Sequence, residues 1–349
     1  ASSSPSAVTA TPKSSRGSKA QEEPTEVITE SGSADGFDVV TQQVKAEALA
    51  TWLKSHESTN VSFSVAGSWG SGTGKIDAIA LVANSGESVW CTIADGGKPL
   101  ISWLGSASPK ITHDAKGPML AFAAAGIAFN GLVFDTAIAS YLVSPGGRNF
   151  ALSDLVLRYL NKTLSESTAA ASAQLSLDGS TEVSGQELAL AARATLDLSE
   201  YLGAELIKRG GLALFNEVEL PLITILSQME SFGIAVDVKA LKKLEENFEG
   251  DSAAAVKQAH SSVGHEFNLG SPKQLQEVLF EERGLPKTKK IKTGYTTDAE
   301  SLQGLLAKFP DDELLVALLR YREVSKLKQT VTGLLASVAS DGRIHTSFN

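Results

Sequence analysis

The last third of the chain carries apolar residues at helical spacing behind a recognisable helix start. Ser271 and Gln274 have the spacing of a capping box, with a proline at the first helical position between them. Leu275, Val278 and Leu279 follow at spacings that predict one buried helix face. A glycine and a proline a few residues later predict the end of this helix.

A basic segment without carboxylates follows, from residue 283 to residue 296. Its cations are Arg283, Lys287, Lys289, Lys290 and Lys292. Thr297 and Glu300 have the spacing of a second capping box. The basic segment is therefore predicted to be a short exposed tip between two helix ends.

The helix predicted beyond the tip has one apolar and one basic face. The side chains predicted to point inward are Leu314, Leu315, Leu318, Val324, Leu327 and Val331. Arg322 and Lys326 are four residues apart and fall on one outward stripe. A helical hairpin with a basic tip and a basic stripe has the shape to grip a polyanion, although a solvated charged face gives the same pattern. The net charge of −9 favours the first interpretation, because a carboxylate-free cluster in an acidic protein is a local feature.

The earlier part of the chain mixes two periodicities. Short runs rich in β-branched residues predict a meander of strands, and longer amphipathic runs predict helices. The predicted strands are 61–66, 76–82 and 88–93, and the predicted helices are 44–53, 119–125, 151–160, 186–208 and 219–229. Asp237 is predicted to cap the next helix, with Leu241, Leu244 and Phe248 as its buried face.

These elements divide the chain into domains. Residues 1–36 are rich in Ser, Thr, Ala, Pro and Glu, and they are predicted to be a disordered linker. Residues 37–210 are predicted to form an α/β domain, and residues 211–340 a mainly α-helical one. Residues 341–349 would then begin a further unit.

Several features restrict the chemistry. A single cysteine, Cys91, excludes a disulfide framework, is predicted to be a buried strand residue and fits a reducing cytoplasm. No apolar run is expected to approach the roughly 20 residues that a membrane span needs. The run GSWGSGTGK at residues 67–75 departs from the phosphate-loop pattern at two positions and is predicted to be a hairpin turn. The five histidines show no metal-binding spacing.

Several of these segments resemble one known family. The motifs NLGSPKQLQEVLF, GLP, KTGYTTDAESL and LLRYREVSKLKQT resemble the thumb subdomain of the bacterial DNA polymerase I family, the family A DNA polymerases. ELPLITILSQMESFGIAVD resembles the segment that opens that thumb, and GRIHTSFN resembles the first hairpin of the palm. The resemblance is collinear over residues 219–349.

The α/β domain resembles the 3′–5′ exonuclease domain of the same polymerases through VFDTAIASYLV and FALSDLVLRYL. The resemblance implies a ribonuclease-H-like sheet, whose exonuclease chemistry needs two divalent metal ions held by carboxylates. The positions that match the family's metal-binding and catalytic residues are Ala66, Ser68, Pro118, Ala191 and Thr195. We therefore expect a degenerate exonuclease domain that binds no metal and is kept as a scaffold.

The resemblance also implies a set of residues that contact DNA. They are Asn268, Ser271, Lys273, Lys289, Lys290, Lys292, Thr293, Thr296, Thr297, Arg322, Lys326 and Asn349. A thumb contacts phosphates and positions the duplex without reading its sequence. Exposed helix N-termini beside the tip would add backbone N–H donors for phosphate. For Ser271 and Thr297, simple helix capping is an equal alternative.

These expectations combine into one function. The chain resembles an interior piece of a DNA-directed DNA polymerase, a nucleotidyltransferase of replication and repair whose complete form needs Mg²⁺ and which acts in the bacterial cytoplasm at the nucleoid. It has no initiator Met and ends before the palm carboxylates and the fingers helix, so alone it is expected to be inactive. The alternatives are a non-catalytic DNA-binding subunit, or half of a split polymerase that needs a second chain with palm and fingers. An active exonuclease is disfavoured by the missing carboxylates.

Overall fold

The structure is a computed structural model that describes residue 37 and residues 39–164, 184–292 and 294–348. The predicted linker at residues 1–36 lies outside these ranges. The described residues form an α/β domain followed by a helical region, in the order that the sequence predicts.

A six-stranded sheet forms the centre of the α/β domain. Its strands are β1 Thr41–Gln43, β2 Val61–Gly70, β3 Thr73–Ala83, β4 Ser88–Thr92, β5 Lys110–Thr112 and β6 Leu132–Asp135. Across the sheet they follow the order β1-β4-β3-β2-β5-β6. Strands β2, β3 and β4 pair antiparallel, which confirms the predicted meander, and the remaining neighbours pair parallel. The run at residues 67–75 forms the turn between β2 and β3, as predicted.

Helices cover both faces of this sheet. They are α1 Ala46–Ser55, α2 Ile93–Gly105, α3 Lys116–Ala124, α4 Thr136–Val143, α5 Leu152–Leu160 and α6 Gly185–Lys208. In β3, Ile79 and Leu81 pack with α1 and α2, whereas Ala78, Ala80 and Val82 face α6. Side chains alternate across a strand, so both faces of β3 are apolar and both are covered. The small alanines let the long α6 approach the sheet closely.

Helix α2 was not predicted from the sequence. Its first turn is capped by Thr92, whose hydroxyl accepts the N–H of Asp95 at 3.1 Å. Gly97 interrupts it with φ 50°, and Pro99 lies inside it. Glycines and a proline so close together are typical of a turn, and here they kink a helix that packing against α1 stabilises.

A long apolar helix, α7 Leu212–Phe232, leaves the α/β domain and contains a π-helical segment at Phe215–Glu219. It is 21 residues long and apolar enough, by length and composition, to cross a membrane. The expectation that no apolar run approaches this length was therefore wrong, because the helix begins at Leu212 and not at the predicted Glu219. One side of α7 is exposed and apolar: Leu214, Val218, Leu222, Ile225, Met229 and Phe232. We call these six residues the apolar stripe.

Two long helices, α8 Val238–Val263 and α11 Glu313–Ala336, pack along each other and form the body of the helical region. Asp237 caps α8 as predicted, accepting the N–H of Ala240 at 3.0 Å. The predicted inward positions of α11 are buried except Leu327, which is 41 % exposed. On α8, none of the three residues of the predicted buried face is buried: Leu244 is exposed, and Leu241 and Phe248 are half-buried. The buried residues of this helix are Ala255 and Ala259, so helical periodicity alone overstated burial near its start.

Shorter elements complete the other end of the helix pair. They are the helix α9 Pro272–Gln276, continued by a π-helical segment at Glu277–Glu282, and the helix α10 Ala299–Leu306. Leu275, Val278 and Leu279 are buried as predicted and pack with α11. At the end of the described chain, the strand β10 Arg343–Ile344 pairs antiparallel with β7 Ile234–Ala235, which follows α7.

Candidate nucleic-acid interface

The basic segment, predicted to be a short exposed tip, is folded as a small hairpin. Its strands are β8 Lys290–Ile291 and β9 Gly294–Tyr295. The N–H of Thr296 donates to the carbonyl oxygen of Lys289 at 3.0 Å, and the N–H of Tyr295 donates to Oε1 of Gln276 on α9 at 2.9 Å. Gly294 has φ 123°, a backbone conformation that favours glycine, and a Cβ there would also displace this Gln276 oxygen. The hairpin is therefore held against α9.

Two of the five cations in this segment are neutralised by carboxylates outside it. Arg283 pairs with Asp312 at 2.7 Å, and Lys287 pairs with Glu281 at 3.2 Å. Neither pairing is visible in the local sequence of residues 283–296. The lysines of the hairpin itself are different: Lys289, Lys290 and Lys292 are exposed and make no ion pair with a described carboxylate.

Thr297 is buried and does not cap α10. The cap is Asp298, which accepts the N–H of Ser301 at 2.7 Å. This hydrogen bond, together with one from the Thr296 hydroxyl at 2.8 Å, lowers the pKa of the Asp298 carboxyl. The predicted capping box at Thr297 was therefore wrong by one residue. The N-terminus of α10 is already occupied by a carboxylate, so it offers no free site for phosphate.

Arg322 is half-buried, where the sequence predicted an exposed side chain. Its Nη2 donates to the hydroxyl of Thr297 at 3.4 Å. Burial lowers the pKa of the Arg322 guanidinium, and the nearby Asp298 carboxylate opposes this. Lys326 is exposed one turn further along α11 and makes no ion pair with a described carboxylate.

Other cations on α11 are paired with carboxylates. Arg320 pairs with Asp251 and Glu323, and Lys328 pairs with Glu249. Of the cations between residues 320 and 328, Arg322 and Lys326 therefore have no ion-pair partner among the described carboxylates. This pair is the predicted basic stripe.

Asn268 and Ser271 mainly shape the turn before α9. The N–H of Gly270 donates to Oδ1 of Asn268 at 2.8 Å, and Ser271 caps α9 by accepting the N–H of Gln274. Oε1 of Gln274 accepts the N–H of Asn268 at 2.6 Å and not that of Ser271, so the predicted capping box closes one turn earlier in the chain. Lys273 is exposed beside this turn.

Thr293 and Asn349 lie outside the described residues. Thr296 is half-buried and bonded to Asp298. In the described part of the chain, the exposed cations of the predicted set that carry no ion pair are therefore five lysines: Lys273, Lys289, Lys290, Lys292 and Lys326. Their arrangement suits a surface of positive charge and offers no catalytic group.

The positions that match exonuclease residues do not form a metal site. Pro118 and Thr195 line a small cavity of about 10 Å³, and on β2 its wall includes Ser64. Ala66 packs toward α6, and Ser68 lies beyond a β-bulge at Ala66, so neither lines the cavity. A cavity of this size is at the lower limit for one water molecule and cannot hold two hydrated metal ions.

Ser64 is one of the cavity residues that the sequence did not identify. It lies two positions before Ala66, and residues two apart on a strand share one face. Periodicity therefore cannot show which of these two residues lines the cavity. The Ser64 hydroxyl has no hydrogen-bond partner in the described part of the chain. Ala191 is fully buried, and its carbonyl oxygen accepts the Thr195 hydroxyl at 2.8 Å.

The carboxylates near this cavity serve structural roles. Asp135 is buried and caps α4 by accepting the N–H groups of Ala137 at 2.8 Å and Ile138 at 3.3 Å. Burial raises the pKa of Asp135 to about 6, against the effect of these bonds. Asp197 pairs with Arg193 at 2.9 Å. Among the described residues, no group of three or more His, Cys, Asp or Glu side chains could hold a metal ion.

Comparison with known proteins shows what the chain is similar to. The model of DNA polymerase family A matches residues 238–349, the helical region from α8 onward. DNA polymerase I of Mycobacterium tuberculosis strain H37Rv is 43 % identical over 325 residues, covering 90 % of this chain and 36 % of the relative. The chain is similar to family A DNA polymerases.

Two further proteins agree with this similarity. DNA polymerase I of Bacillus subtilis is 35 % identical over 243 residues, covering 69 % of this chain and 27 % of the relative. The solved POL domain of Pol1 from M. smegmatis, in complex with DNA primer-template and dNTP, has a TM-score of 0.75 and 40 % identity. The match covers 89 % of this chain and 52 % of that one. The chain thus spans about a third of the length of the M. tuberculosis polymerase.

Proposed function

We propose that this chain is the part of a DNA-directed DNA polymerase that grips duplex DNA and supports the catalytic part. The helical region would be the thumb, and the α/β domain would be a ribonuclease-H-like exonuclease domain that has lost its catalytic carboxylates. The observation that carries the proposal is the charge at the hairpin end of the helix pair, together with the likeness to a polymerase domain solved on primer-template DNA.

The proposed grip is electrostatic. The five exposed lysines carry no ion pair in the described residues, so neutralising phosphates would not require breaking existing bridges. Arg322 is held in place by Thr297 and can present a planar guanidinium to one phosphate. Contacts of this kind position a duplex without reading its sequence. The binding should therefore be independent of sequence and strongly dependent on salt.

Nucleotide transfer itself would need Mg²⁺ in the complete polymerase. The described residues of this chain do not fit such a site, as their carboxylates are dispersed in caps and ion pairs. The reaction would therefore be carried by polypeptide beyond the matched stretch, in the bacterial cytoplasm at the nucleoid. This chain would contribute the positioning of the duplex.

The test is fluorescence anisotropy of a labelled hairpin duplex at several salt concentrations. We expect a slope of log affinity against log salt of about −3 to −5, on the scale of one unit per neutralised phosphate. Replacing Lys289, Lys290 and Lys292 together by Gln should reduce the magnitude of the slope by about 1–3. The matched control replaces three exposed lysines near the start of α8, Lys239, Lys242 and Lys243, which lie far from the hairpin. Equal losses in both triple variants would refute a localised interface.

The apolar stripe of α7 favours a second candidate role, that of one half of a two-chain polymerase. Its six side chains are 37–70 % exposed and recur on one face. An exposed apolar surface of this kind is typical of an interface. The chain covers 52 % of the matched POL domain, so about half of that domain has no counterpart here. We propose that a second chain corresponding to this remaining half, with palm and fingers, packs on the stripe.

A further inference from the structure

A buried carboxylate joins the α/β domain to the last described segment of the chain. Glu230 lies in α7, and its side chain is 2 % exposed. Its Oε1 is 2.9 Å from Nζ of Lys116, at the start of α3, and accepts the N–H of Phe348 at 2.7 Å. Nζ of Lys116 also donates to the carbonyl oxygen of Phe348. The ion pair of Lys116 and Glu230 therefore binds both the N–H and the carbonyl oxygen of Phe348, which lies 118 positions after Glu230 in the chain.

The rest of this segment is fixed to the same end of α7. Nδ1 of His345 bonds the carbonyl oxygen of Glu230 at 2.8 Å. Nε of Arg343 donates to the carbonyl oxygen of Phe232 at 2.6 Å, and its guanidinium lies 4.1 Å from the ring of Phe232. With the pairing of β10 and β7, residues 343–348 follow the helix end closely.

The glycine-rich turn between β2 and β3 reaches the same place. Gly72 has φ 73°, and a Cβ on it would overlap both the carbonyl oxygen of Glu230 and the ring of His345. Both the backbone conformation and the close approach require glycine. The turn therefore contacts the joint between α7 and the final segment. This contact gives a structural role to Gly72, which lies in the run that departs from the phosphate-loop pattern.

We propose that Lys116, Glu230 and the backbone of Phe348 form a latch by which the α/β domain positions the segment at residues 343–348. This inference extends the proposed scaffold role of a domain without exonuclease carboxylates, and it rests on that role. In the longer family A relatives the match runs through this segment, so holding it fixes the direction in which the polymerase part leaves the domain. Lys116 and Glu230 are positioning residues and contact no reacting atom.

A buried ion pair across the joint suits this role because it stabilises only the arrangement in which α3 and α7 are in contact. A buried carboxylate without its cation is strongly disfavoured, so the pair opposes any arrangement that separates α3 from α7. The single oxygen Oε1 serves both Lys116 and Phe348, so the segment is held only when the two helices are in place. Helix α3, the end of helix α7 and the segment at residues 343–348 are therefore expected to separate together.

The test is amide hydrogen exchange in the whole chain, for the parent and for Lys116→Met and Glu230→Gln. We expect the Phe348 amide, which donates to Glu230, to exchange at least tenfold faster in Lys116→Met, with the amides in the centres of β2 and β3 unchanged. The control is Lys75→Met, which removes an exposed ion pair with Asp77 in the same domain and should leave the Phe348 amide protected.

Local loss of protection separates the latch from general destabilisation. A uniform rise in exchange across the sheet, or unchanged exchange of the Phe348 amide in folded Lys116→Met, would overturn the proposal. If Glu230→Gln does not fold, Lys116→Met decides alone, because Lys116 is 21 % exposed at a helix start and can be replaced with less disturbance. Duplex affinity, measured in parallel, reports on the proposed DNA grip and should be unchanged in both variants.

Discussion

Arg322 combines packing and charge in one side chain. It donates to the buried Thr297 hydroxyl, and its guanidinium is within the influence of the Asp298 carboxylate. An arginine held in this way loses less conformational entropy on binding a phosphate than a free lysine does. It is therefore expected to contribute more than any single hairpin lysine.

We predict that Arg322→Ala weakens duplex binding by about 1–2 kcal/mol, the scale of a charge-assisted hydrogen bond. It should also lower the free energy of unfolding by about 1 kcal/mol, because the buried Thr297 hydroxyl loses a donor. The control is Arg320→Ala on the same helix, whose guanidinium is already paired with Asp251 and Glu323. Anisotropy and thermal melts of both variants measure the two effects. Equal affinity for both variants would contradict the role of Arg322.

His113 gives the fold a dependence on pH. It lines the small cavity, bonds the Thr136 hydroxyl at 2.9 Å, and burial lowers its pKa to about 4. The unfolded chain takes up this proton near pH 6.5, so the folded state loses stability as pH falls from 6.5 toward 4. The difference in unfolding free energy between the parent and His113→Gln should shrink over this range by on the order of 2 kcal/mol. Urea titrations at several pH values test this, and a difference independent of pH would refute it.

The apolar stripe of α7 extends the argument to a whole helix. If polypeptide with palm and fingers packs on it, Ile225→Asp should abolish binding of a separately produced remaining half of the matched M. smegmatis POL domain, because a buried unpaired carboxylate costs several kcal/mol. Ile101→Asp, at a similarly exposed site on α2, is the matched control. Light scattering after size exclusion would detect the complex. Binding of the parent to lipid vesicles without binding to the polymerase half would instead favour a membrane surface.

The elements differ in how far the sequence could predict them. Helix faces such as that of Leu275, Val278 and Leu279 follow from periodicity, because one side of the helix meets a core. The neutralisation of Arg283 by Asp312 could not be predicted, because it depends on which helix ends meet in space. The same holds for the cap at Asp298, where Thr297, one residue earlier, has equally suitable spacing and is buried instead. Local chemistry predicts elements, and tertiary contacts decide which polar groups remain free.

At the scale of the molecule, the two parts divide charge and support. Among the described residues, the lysines of the hairpin carry no ion pair, whereas the α/β domain meets the last described segment at Glu230. The glycine-rich turn, α3 and α7 come together at that joint. These contacts give the α/β domain a structural role that requires no catalytic carboxylate.

The side chains that line the small cavity predict that the α/β domain has no 3′–5′ exonuclease activity. Ser64, Pro118 and Thr195 line its cavity, and they supply two neutral hydroxyls where a hard divalent cation needs charged oxygen ligands. Without a metal pair, the charge that develops on the phosphodiester is not stabilised. The chain should therefore leave end-labelled single-stranded DNA intact with Mg²⁺ or Mn²⁺ present. Metal-dependent shortening from the 3′ end that stays with the protein through purification, and is lost in Pro118→Ala or Thr195→Val, would show that the cavity is a working site.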